Sequence, residues 1–168
     1  MSPPALQFLT AADDPFPVVA AEQAILPAAD LLLGWQQWLE VRAQWPDGLR
    51  VGVAFPNDLA VGALVPDLPR LARIALQFPK WTDGRAYSQG RLLRTRHRFG
   101  GELRAIGDVI PDMAAQLYRT GFDAVVLRAG ESIDVANRML RLIPAFYQAD
   151  AHQRVPHFAR DNASAAST

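Results

Sequence analysis

Cysteine is missing altogether from the 168 residues. Its absence excludes disulfides, thiolate nucleophiles, zinc–thiolate sites and cysteine-ligated iron–sulfur clusters. Any redox chemistry must therefore be borrowed from a cofactor or a partner. An excess of either charge is missing too: Lys plus Arg and Asp plus Glu number 17 each, so there is no electrostatic reason to bind nucleic acid or an anionic membrane. No apolar run is long enough to cross a bilayer. The opening "MSPPALQFLTAADDPF" lacks the basic start and apolar core of a secretory signal. A soluble, cytoplasmic protein is the expectation. GxGxxG, P-loop, GxSxG and HExxH patterns are also missing, which removes the usual nucleotide-binding and hydrolase signatures.

Half of the residues are hydrophobic and 20% are charged, enough for a sizeable core in one domain. From about residue 50 onward a unit recurs: an apolar strand, a polar or Gly-containing turn, then an amphipathic segment. Strands are expected at 49–55, 72–78, 102–109 and 123–129, and helices at 58–64, 85–98, 111–120 and 131–147. Strands alternating with helices imply right-handed crossovers and a parallel sheet. The expected fold is α/β, about four βα units in a flavodoxin-like or half-barrel-like arrangement. Gly121 supplies a left-handed helix stop, and Pro144 should kink or shorten the last helix. Residues 1–48 are expected to form an extension packed on the core, with one helix from about Asp30 to Trp45. The core spans 49–148, and 149–168 read as a disordered tail. His152 and His157 fall in that tail without a scaffold for a metal.

Parallel strands are normally dry on both faces, yet here charges alternate along them. Glu102, Arg104 and Asp108 share one face of the third strand, Arg73 and Gln77 one face of the second. Buried charges must be paired, solvated or lining a cavity. Mutual pairing and a polar pocket are both open, and two half-barrels completing one barrel as a homodimer is a further option.

Ligands of α/β sheets collect at the carboxyl ends of the strands. There "PND" (56–58), "PKWTDGR" (79–85), Gly107 with Asp108, and "RAGES" (128–132) come together in the expected topology. A helix N-terminus suits an anion. Lys80, Arg85 and Arg128 add cationic donors, Arg85 and Arg128 as planar forks. Asp83 and Asp108 can orient those cations, act as a base or share Mg²⁺; equally, Thr82, Asp83 and Asp108 are ordinary helix caps. The candidate catalytic residues are Lys80, Asp83, Arg85 and Asp108; the candidate ligand-binding residues are Tyr87, Ser88, Arg104 and Arg128. No metal ligand set is assigned and the cofactor is unknown. The run "RLLRTRHR" reads as a solvated face.

The motifs Phe78 to Trp81, Asp83 to Ser88, Gly101 to Val109 and Gly121 to Ala124 resemble those of a bacterial family, domain of unknown function 934. The likeness covers roughly residues 50 to 148. Trp81 stands where Phe is usual, Ala86 where Gly is usual and Met113 where Gln is expected. The family is often described as an oxidoreductase linked to sulfite reduction, and its genes neighbour those of sulfate assimilation. The resemblance therefore implies an accessory protein of sulfite reduction, with a small anionic ligand or sulfite reductase as partner. An enzyme acting on a sulfo- or phospho-substrate through an Asp base or Mg²⁺ is the alternative. An enzyme needs an enclosed pocket, whereas an adaptor should expose an apolar patch, which Trp35, Trp38 and Trp45 are placed to supply.

Overall fold

The computed structural model describes residues 6–142 and Ala151. Six parallel strands form one sheet: β1 (Gln7–Thr10), β2 (Leu32–Gly34), β3 (Val51–Phe55), β4 (Leu71–Phe78), β5 (Glu102–Gly107) and β6 (Ala124–Leu127). Their order is β1-β6-β5-β4-β3-β2. The four strands expected from the repeat are β3 to β6. In addition, the first 48 residues supply both edges. The expected helix over 30–45 is replaced in part: Leu32–Gly34 is strand, α1 is Trp35–Val41, and Arg42–Gln44 closes in a 3₁₀ turn. A short Leu run fits either period; pairing of Leu32 with Gly52 and Gly34 with Ala54 decides for strand.

From β2 to β6 each strand lies one place beyond the last. Successive right-handed crossovers in one direction put every helix on the same face. Accordingly α1, α2 (Arg85–Thr95), α3 (Ala114–Arg119) and α4 (Ile133–Leu142) all feed one core. In it Trp38, Leu93, Leu117 and Leu140 meet Phe55, Ile74, Leu76, Leu103 and Val125. A doubly wound sheet reverses its order part-way.

The opposite face carries a small apolar cluster, Leu32, Ala54 and Ala75 with Phe16 and Ile106, drawn from no helix. The segment between β1 and β2 covers it. Asp14 pairs with Arg104 there, and the Arg73 guanidinium lies 3.4 Å from the centre of the Phe16 ring. Glu102 accepts from Arg73 at 3.1 Å and from Arg104 at 2.7 Å. The alternating charges are thus mutually paired; Arg104 is only 2% exposed.

Other boundaries shift for local reasons. In place of a helix at 58–64, 3₁₀ turns run over Val61–Arg70, where Pro66 and Pro69 have no N–H to donate. The helix expected at 85–98 ends at Thr95, and Arg98 has a left-handed backbone, φ 51°. A 3₁₀ turn, Pro111–Met113, opens the way to α3. Gly121 takes φ +93°, as a stop requires, and a Cβ there would lie 2.5 Å from Arg94 Cγ. Trp35, Trp38 and Trp45 are buried, the last two ring against ring at 5.7 Å. Pro144, His152, His157 and the expected tail, Ala151 apart, lie outside the described residues.

Candidate functional site

The loops after β4, β5 and β6 are tied together by Asp108. Its position depends on Gly107, whose φ of +102° and bare Cα let the chain pass Phe78; a Cβ would lie 2.5 Å from the Phe78 carbonyl oxygen. Asp108 then donates its N–H to that carbonyl at 2.8 Å. Its carboxylate accepts from the Trp81 amide at 2.9 Å and from Arg128 at 3.0 Å. The amide first, and Arg128 second, hold the Asp108 carboxyl below the usual range. Arg128 also binds Glu131 at 2.9 Å, and the two carboxylates push its pKa up.

Asp83 sits just before α2 and is engaged by Arg85 in three ways. The Arg85 side chain reaches it through Nε at 3.0 Å and a terminal nitrogen at 2.7 Å, and the Arg85 amide at 3.2 Å. The side-chain bonds, then the amide, hold the Asp83 carboxyl far below its ordinary value, and Arg85 is raised in turn. The N-terminus of α2, which the sequence offered to an external anion, therefore receives the protein's own carboxylate. The N-cap of α2 is Gly84 rather than Asp83, which instead accepts the first helical amide from one residue earlier; loop tethering explains Asp108. A carboxylate so stabilised as the anion is a weak base.

Lys80 is exposed; its carbonyl accepts the Asp83 N–H at 2.9 Å, and among the described residues its ammonium has no ion pair. Tyr87 lays its ring edge on Phe78 at 5.1 Å, and burial pushes its hydroxyl up to about 12. The eight candidates thus fall into an Asp83–Arg85 pair and an Asp108–Arg128 pair, with Lys80, Tyr87 and Ser88 nearby in the chain. Arg104 lies apart, on the opposite face of the sheet with Asp14 and Glu102. Among the described residues no three His, Asp or Glu side chains gather as a metal site would.

A groove of about 470 Å³ runs between α2 and the segment after β3. Arg85, Ser88, Gln89, Leu92 and Arg96 line it from one helical face, spaced by three and four; Asn57, Leu59, Ala60, Val61 and Gly62 form the other wall, and His97 one end. Among the described residues the lining holds two arginines and a histidine and no carboxylate. Arg85 is matched by Asp83, but Arg96 has no ion pair among the described residues. Gln89 staples the walls: its amide nitrogen donates to the carbonyls of Pro56 and Leu59, both at 2.9 Å.

Sequence reasoning placed Arg85 and Ser88 in a site and missed Gln89, Leu92, Arg96 and His97 as its continuation. The available signal was their spacing along a helix whose other face, Ala86 and Leu93, is buried. The reading of "RLLRTRHR" as a solvated face is corrected at Arg94. That side chain donates to the carbonyls of Gly121 and Gly101, both at 2.8 Å, and pairs with Asp123. It closes the helix end onto the β5 and β6 entry loops.

The sequence profile of a group of bacterial proteins of unknown function, DUF934, matches residues 52–158, more than half of the chain. The chain belongs to this family. The DUF934 match takes in β4 to β6, α2 and the groove, leaving β1, β2 and Asp14 before it. No curated protein matches the chain.

Proposed function

We propose that this protein is an accessory protein that binds an anionic ligand, and that its setting is assimilatory sulfite reduction, as its family resemblance implies. The observation that carries the binding is the groove beside α2, lined by Arg85 and Arg96 with no carboxylate among the described residues of its lining. At the strand ends Arg85 is matched by Asp83, and Arg128 by both Asp108 and Glu131. Arg85 belongs both to one of those pairs and to the groove lining. Their arrangement favours binding over base catalysis, since Asp83 and Asp108 are both stabilised as anions by cations or amides. Burial of Trp35, Trp38 and Trp45 weakens the reading of those three residues as a docking patch for the reductase.

Thermal unfolding in the presence of sulfite, sulfate and phosphate tests this reading. A ligand bound to the native state raises the unfolding temperature by mass action. The shift should appear with wild type and shrink in Arg96→Ala and Arg85→Ala. In cells, Lys80→Ala and Arg85→Ala should slow growth on sulfate as sole sulfur source while leaving the fold intact. Unchanged melting with every anion, or a shift indifferent to Arg96→Ala, refutes the binding; wild-type growth of both variants removes the sulfur setting.

A further inference from the structure

The wall of the groove contains an acceptor with nothing to accept. Gln89 is 5% exposed, and its Oε1 is buried without a hydrogen-bond partner among the described residues. The amide cannot be turned to relieve this, because its nitrogen already donates to Pro56 and Leu59 and a flip would set oxygen against two carbonyls. A buried acceptor left unmade costs stability that a suitable donor restores. Gln89 sits between the two cationic ends, one turn from Leu92 and close to Leu59 and Val61 across the groove. Arg85 is already neutralised by Asp83, so the unmatched positive charge among the described lining residues lies on Arg96, beside His97. From Arg85 to Arg96 the helical face extends about 16 Å at about 1.5 Å per residue. A cavity of about 470 Å³ falls within the roughly 300–1,000 Å³ of small-molecule pockets, far larger than a tetrahedral oxyanion needs.

We propose that the groove takes an organic anion: its anionic group at Arg96 and His97, its body against Leu59, Val61 and Leu92, and an N–H or O–H donor on that body meeting Gln89 Oε1. This rests on the anion-binding reading above and specifies the ligand class for the same site. Free sulfite or sulfate then fills only one end, and the natural ligand is a phospho-, sulfo- or carboxy-compound with a hydroxyl or amine.

The test is a calorimetric and NMR titration of the full chain with four probes. Adenosine 5′-monophosphate and ribose 5-phosphate carry anion, body and donors. Phenyl phosphate carries anion and body without a donor on the body, and sulfate is the anion alone. The donor-bearing probes should bind about tenfold or more tighter than phenyl phosphate, and sulfate weakest. The Gln89 side-chain amide signal, assigned by its loss in Gln89→Met, should move with the donor-bearing probes only. Arg96→Ala should weaken every probe. If phenyl phosphate binds as tightly as both sugar phosphates and the Gln89 signal stays still, the donor requirement is overturned while anion binding stands. If no probe binds, or none responds to Arg96→Ala, the anion site itself is overturned and this inference with it.

Discussion

Removing the carboxylate of Asp14 tests whether the segment between β1 and β2 is fastened to the sheet by a buried ion pair. Asp14 and Arg104 have side chains 8% and 2% exposed, so neither can recover its hydration when the other is removed. Breaking such a pair typically costs about 3–5 kcal/mol, chiefly from the charge left behind. Here Arg104 keeps Glu102 at 2.7 Å, although Glu102 also serves Arg73. That surviving partner places Asp14→Ala at the low end, about 3 kcal/mol. The change also removes the acceptor of the Phe16 amide, 3.0 Å away, and with it the anchor of the ring beneath Arg73. With a urea slope of about 2 kcal/mol per molar, the unfolding midpoint should fall by about 1.5 M. Arg104→Met should be comparably costly, because it strands Asp14. The double variant Asp14→Leu/Arg104→Met replaces the pair by apolar groups and should recover most of the loss. A coupling above about 1.5 kcal/mol in this cycle is expected. An Asp14→Ala midpoint within about 0.5 kcal/mol of wild type, or single effects that simply add, would refute the reasoning.

Gly90→Ala sets helix propensity against packing. Ala is favoured over Gly inside a helix by about 1 kcal/mol, yet the new Cβ would lie 2.7 Å from Phe122 Cε2, on a ring with no exposure. Overpacking of about 1–3 kcal/mol should win, giving a lower unfolding temperature; a more stable variant would show that the ring yields. On pH, the folded-state pKa values of Asp83 and Asp108 are depressed below the ordinary carboxylate value. Their contribution is therefore present above about pH 4 and lost as pH falls through the folded values. Asp83→Asn and Asp108→Asn should each be less stable than wild type at neutral pH in urea unfolding, with the gap closing toward about pH 2. A gap that persists unchanged at low pH would mean the charges are not its source.

Much of this molecule is legible locally. The alternation of apolar strand, turn and amphipathic segment carries β3 to β6, the α/β class and the parallel sheet, because periodicity reflects burial residue by residue. The pairing of Glu102 with a neighbouring Arg is also visible, since the two strands are adjacent. The left-handed stop at Gly121 follows from residue type alone. What the tertiary structure decided is the rest. β1 and β2 are short, and their pairing partners lie in distant parts of the chain. Leu32 becomes strand only because β3 presents an open edge. Asp14 finds Arg104 across 90 residues of sequence, a contact that no local pattern encodes. The groove likewise exists only once α2 packs against the segment after β3. Arg96 and His97 look like part of a solvated face in the sequence and become one end of a site because that packing leaves Arg96 without an ion pair among the described residues, beside a glutamine whose oxygen has no partner among them.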